Sequence, residues 1–181
     1  MDTSSADAHG LVSKGGQASQ LALPRIERIT DVPQFMKESQ NFNGSIEKLT
    51  KFIENQQQQC EDIKMLLKQQ VQLQMDTLHQ VKEDILELQR QLREPGQGQT
   101  KILVKFLDET EVNEYETMDA LARYNIKMSS LYGEILALDS DVDYVSYLAS
   151  IARLNKEYVL EWHKREKLQK PKLAKIKDKT G

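Results

Sequence analysis

Three histidines and one cysteine are the residues of this chain best suited to metal binding or nucleophilic chemistry, and their spacing argues against both. His9, His79 and His163 stand far apart, none with a second His, Cys or acid at ligand spacing in a shared element. Cys60 falls on an apolar repeat, where a thiol acts as a small buried hydrophobe, and a lone cysteine excludes an internal disulfide. Asp139, Asp141 and Asp143 place oxygens at positions one, three and five of a calcium loop, but Tyr144 stands where glycine must turn the chain and Ser150 where a bidentate Glu is needed. Gly96-Gln97-Gly98-Gln99-Thr100-Lys101 lacks the Gly-Lys-Ser/Thr order that sets a lysine and a hydroxyl on a phosphate. Asn43-Gly44-Ser45 fits the glycosylation acceptor pattern, in a chain predicted to stay in the cytosol. The expectation is a non-enzymatic protein with no catalytic residue, no metal and no cofactor.

The elements carry a stronger signal. Phe42, Ile46, Leu49, Ile53, Gln56, Cys60, Ile63 and Leu67 alternate steps of four and three, the spacing of a seam that two helices bury between them. Leu67 to Val71 is a second step of four in succession, a stutter, after which Gln74, Leu78, Val81, Ile85, Leu88 and Leu92 resume the heptad. The stripe returns in Leu121, Tyr124, Met128, Leu131, Ile135, Leu138, Val142, Val145 and Ala149, and is read onward through Ile151, Leu154, Tyr158 and Trp162 with a drift in phase. The predicted fold is all-α: an elongated coiled coil or long helical hairpin, with a parallel dimer as the alternative to the hairpin, and with a disordered N-terminal tail and a basic C-terminal tail. With 6% aromatic residues and 29% charged ones, the chain suits long solvated helices better than a wide core.

Five regions follow. Residues 1–30, rich in Ser, Gly, Ala and Gln, predict a disordered tail whose one apolar patch, Leu21 to Ile29, is a candidate for docking on a partner. Residues 31–93 hold a short lead-in, capped by Thr30 or Asp31 with Pro33 in its first turn, and the first heptad helix, capped by Ser45. Residues 94–116 are a Pro/Gly break and an acidic connector; Lys101 to Leu107 reads as helix or strand, and helix is preferred. Residues 117–169 are the second heptad region, opened by Thr117, with a bend expected near Asp139 where Ser140 and Asp143 mimic a capping box, and Pro171 marks its end. Residues 170–181 are the basic tail.

The partner-binding seam is assigned to Ile46, Leu49, Ile53, Cys60, Ile63, Leu67, Leu78, Val81, Ile85, Leu88, Leu121, Met128, Leu131, Ile135 and Leu138. Polar seam positions such as Gln56 and Gln74 weaken self-pairing, so hetero-oligomers with other coiled-coil subunits are favoured over homo-oligomers. From Lys164 to Lys179, eight bases against two acids leave a charge of plus six; the whole chain totals minus three, so the remainder carries minus nine. Lys164, Arg165, Lys167, Lys170, Lys172, Lys175 and Lys177 therefore form a candidate electrostatic docking arm for an acidic protein surface, ahead of nucleic acid or anionic lipid. The Met1 to Ser5 start has no basic-then-apolar leader and no apolar run approaches a bilayer span, which predicts a cytoplasmic protein, with a nuclear one also admitted. These properties fit a coiled-coil scaffold or adaptor subunit of a cytoskeletal, organelle-tethering or chromosome-associated assembly; the alternative is a nucleic-acid-associated coiled-coil factor acting through the basic tail.

Overall fold

The computed structural model describes residues 22–38, 42–93 and 101–177, with the backbone alone from 170 onward. Its elements run α1 (Val32–Glu38), α2 (Ile46–Arg93), β1 (Lys101–Val104), β2 (Asn113–Glu116) and α3 (Thr117–Lys177). Asp31 caps α1: its Oδ1 accepts the Gln34 N–H at 2.9 Å. Asn43 and Gly44 then take left-handed φ angles of 47° and 73°, which ends any continuation into α2. Ser45 restarts the helix, its Oγ accepting the Lys48 N–H at 3.3 Å. Residues 94–100, the predicted Pro/Gly break, lie outside the described residues.

Contacts divide the chain into two compact units, residues 1–66 with 141–181 and residues 67–140. On α2 the division falls at the stutter between Leu67 and Val71, where the heptad phase shifts. In the first unit α2 and α3 pack antiparallel. Leu49, Ile53 and Cys60 on α2, and Val145, Ala152 and Val159 on α3, are fully buried, while Glu54 pairs with Lys156 at 2.8 Å. At the far end of that pairing, Glu47 is held below the usual carboxylate range by the Ser45 hydroxyl first, with the charges of His163 and Lys167 adding to it. In the second unit Leu78, Val81, Ile85 and Leu88 of α2 join Phe106, Ala120, Tyr124 and Leu131 in one core. Lys82 lies 5.0 Å from the Tyr132 ring centroid and Asp84 pairs with Tyr124, so α3 descends as α2 rises and the two are antiparallel here as well.

Four expectations need correction. Residues 101–104 form a strand, paired antiparallel with β2 in the register Lys101↔Glu116 to Val104↔Asn113. The cause is alternation: Ile102 and Val104 turn toward the core while Lys101 and Leu103 face out, a period of two that a helix cannot satisfy. Residues 22–30 do not belong to a disordered tail, because Ile26 and Ile29 are buried, 8% and 3% exposed; residues 1–21 lie outside the described residues. No fresh helix start occurs near Asp139, where α3 is continuous and Asp141 is buried. α3 also passes Pro171 to Lys177: proline forfeits one helical N–H but supplies a helical φ, and the Lys, Leu and Ala around it are good helix formers.

Candidate functional site: a strapped helix pair

All fifteen seam residues face into the chain's own packing. Leu49, Ile53, Cys60, Leu67, Leu78, Val81, Ile85, Leu88, Leu131 and Leu138 are buried, and Ile46, Ile63, Leu121, Met128 and Ile135 half-buried. Any partner must therefore meet other surfaces, or displace an internal contact. The seam of α3 in the first unit keeps Val145 and Ala149 of the expected stripe and departs from it beyond Ala149. It runs through Asp141, Val145, Leu148, Ala149, Ala152, Asn155 and Val159, whereas Leu154 is 40% exposed. Ala152 permits close helix approach and Asn155 is a polar member, so the larger Ile151, Leu154 and Tyr158 are displaced to the flank.

Against Gln56, Asn155 and Tyr158 lies a strap, residues 22–31, of irregular backbone. Leu23, Ile26 and Ile29 recur every third residue, a spacing that puts them on one face of a chain with three residues per turn, and Val32 at the start of α1 continues it. Ile26, Ile29 and Val32 are buried and Leu23 half-buried. Such a chain makes no internal hydrogen bonds, so its buried main-chain groups need outside partners. Helix side chains provide them. Asn155, 2% exposed, accepts the Ile29 N–H at 2.9 Å through Oδ1 and donates from Nδ2 to the Glu27 carbonyl at 2.8 Å. The Tyr158 hydroxyl donates to the Thr30 carbonyl at 2.8 Å, and Gln56 Nε2 donates to the Arg25 carbonyl at 3.0 Å. Arg28 adds a side-chain bond to Asn155 Oδ1 at 3.1 Å and lies 5.8 Å from the Tyr158 ring centroid. Gln56, expected as a polar seam position, serves the strap instead.

The second unit gathers its charged groups around Arg123. Its guanidinium stacks 4.1 Å from the Phe106 ring centroid, donates to Glu109 Oε1 at 2.8 Å and reaches both Asp108 oxygens at 3.1 Å. The Tyr115 hydroxyl donates to the same Glu109 oxygen, and this bond is the chief reason the Glu109 carboxyl lies below its usual range. A groove of about 500 Å³ opens beside this knot, lined by Thr77, Val81, Leu107, Ile126, Lys127 and Ser130 among others. Each ionisable member of the knot is satisfied by another, which makes it a clamp on the β1–β2 loop.

Lys164, Arg165 and Lys167 are exposed on α3, with Arg165 bonded to Glu161 at 3.1 Å. Lys170, Lys172, Lys175 and Lys177 fall on the last described turns, and Lys179 and His9 outside the described residues. The Cys60 thiol is pushed up by burial and then by Glu61, which keeps it protonated and unreactive. Among the described residues no group of His, Cys, Asp and Glu is placed to hold a metal ion, and no helix is long and apolar enough to cross a membrane. The strap and Asn155 escaped the heptad reading, although the period of three from Leu23 to Val32 was available to find them. No protein-family model, curated protein or solved structure matches this chain.

Proposed function

We propose that this chain is a non-enzymatic scaffold or adaptor subunit of a larger intracellular assembly, acting through helix–helix pairing with a different coiled-coil protein. One observation carries the reading. Besides its buried seam, α3 bears a second heptad stripe, Tyr144, Tyr147, Ile151 and Leu154, again in steps of three and four. Tyr144, Tyr147 and Leu154 are exposed, and Ile151 half-buried. Solvated faces of a two-helix pair need no such order, whereas a third helix packing in coiled-coil register requires it. The aromatic content also suits an interface, since tyrosines supply large contact area with few rotatable bonds.

The test is site-specific photocross-linking in cells, with the probe at Tyr147 on the stripe or at Arg153 on another face of the same helix. The expected product is one heterologous adduct from Tyr147 and none from Arg153. With the probe kept at Tyr147, the double substitution Tyr144→Asp and Leu154→Asp should abolish the adduct and leave helicity unchanged. Equal adducts from both positions, or none from either, would refute the pairing.

A further inference from the structure

Residues 22–31 fill a groove of the first unit through main-chain hydrogen bonds to Gln56, Asn155 and Tyr158. We infer that this groove, read by Gln56, Asn155 and Tyr158, receives an extended peptide from a partner, with an aliphatic residue at every third position, in place of residues 22–31. The argument begins with the nature of the contacts. Carbonyls of Arg25, Glu27 and Thr30 and the N–H of Ile29 are main-chain groups that any extended peptide presents. Side-chain selection comes chiefly from the seats of Ile26 and Ile29, which accept aliphatic groups by shape. An asparagine that is 2% exposed and spends both ends of its amide on another segment's backbone is costly to bury unless that segment, or an equivalent one, is present.

The strap is also an imperfect occupant. An open depression of about 250 Å³ adjoins Ile29, between the strap, Phe35, Phe52 and Gln56, so a bulkier aliphatic side chain at that position has room to cover more of Phe35 and Phe52. Its tether is short: α1 has 7 residues and is followed by the left-handed pair Asn43 and Gly44. A segment so tethered competes at millimolar effective concentration, which suppresses a partner peptide without excluding it. The inference is independent of the scaffold reading, because the groove can bind a peptide whether or not the outer stripe of α3 pairs with a helix.

The experiment uses the full chain and a fluorescent synthetic peptide of residues 22–33. Ile26→Asp with Ile29→Asp should expel the strap and raise peptide affinity at least about 100-fold over the wild type. Adding Asn155→Leu should remove the binding, and a control peptide with the same residues but aliphatics at alternate positions should not bind. No saturable binding by a double variant of unchanged helicity, or equal affinity for the control peptide, would overturn the inference. If the double variant does not fold, wild-type chain in excess peptide gives the reading: exchange of the Ile29 amide must accelerate, and its failure to do so overturns the inference too. A concentration-dependent wild-type dimer that excess peptide dissolves would seat a second copy in the groove, and would likewise overturn assignment to a separate partner.

Discussion

In the unit formed by residues 1–66 and 141–181, an irregular strap covers the helix pair and helix side chains satisfy its backbone; in residues 67–140, β1 and β2 cover the pair and satisfy much of each other's. The difference separates two ways of closing a helical seam. A hairpin carries its own hydrogen bonds, so Ile102, Val104 and Tyr115 need only pack on the core beneath. A strap borrows its hydrogen bonds from Asn155, Tyr158 and Gln56, so its stability depends on a few polar atoms. The first arrangement is suited to permanence and the second to exchange.

The largest expected effect tests the hairpin unit. Phe106 is 5% exposed, contacts the Tyr115 and Tyr124 rings at 5.1 Å and 4.7 Å, and underlies the Arg123 guanidinium. Phe106→Ala should cost about 3–5 kcal/mol through the cavity it leaves. Hydrogen exchange should rise along residues 101–131. If protection there is unchanged, the hairpin is held by its strands alone and the comparison loses its second half.

A smaller loss is expected from Asn155→Leu, which keeps the approximate volume but leaves the Ile29 N–H and the Glu27 carbonyl without their partners. Each unsatisfied group costs about 1–3 kcal/mol, less whatever the freed strap regains in water. The Ile29 amide should exchange at the rate of an open segment while α2 and α3 keep their protection. Retention of slow exchange at Ile29 would mean that Ile26, Ile29 and Val32 hold the strap without the amide.

How legible each region was follows from the same physics. The helices were legible because burying a seam enforces a period, and the fifteen assigned seam residues all turn inward. Asp31 and Ser45 were legible as caps because short oxygen-bearing side chains satisfy orphan N–H groups. β2 was hidden, since Asn113, Glu114 and Glu116 are polar and only Tyr115 packs against the core. The strap was hidden for another reason: its period of three has only four apolar members and crosses Pro24, too short to stand out beside long heptads. In α3 the bulk of Ile151, Leu154 and Tyr158 outweighed Ala152 and Asn155 in a hydrophobicity reading, though proximity between helices favours the smaller residues at the seam.

The hairpin unit should also carry a distinct alkaline limit. Tyr124 is pushed up to about 12, chiefly by burial and then by the Asp84 carboxylate. A phenol is neutral when protonated, so the folded state retains this proton more tightly than the unfolded chain, whose tyrosines titrate near ~10. The associated stability is complete below about pH 10 and is lost as pH rises towards 12. Tyr124→Phe should remove that part of the alkaline unfolding transition, followed by phenolate absorbance alongside circular dichroism. An unchanged transition would place the alkaline limit elsewhere in the molecule.

The smallest effect distinguishes the members of the strap's polar clasp. Tyr158 is half-buried and gives one hydrogen bond to the Thr30 carbonyl, at a point where water can replace it. Tyr158→Phe should therefore cost only about 0.5–1.5 kcal/mol, the net worth of an ordinary hydrogen bond. The ring remains to meet Arg28, so the expected change is faster exchange at residues 30 and 31 with Ile29 still protected. Asn155 differs because its amide is buried and bonds two main-chain groups at once. If Tyr158→Phe released the whole strap as completely as Asn155→Leu, the clasp would be cooperative, and the strap would leave its groove as a single piece.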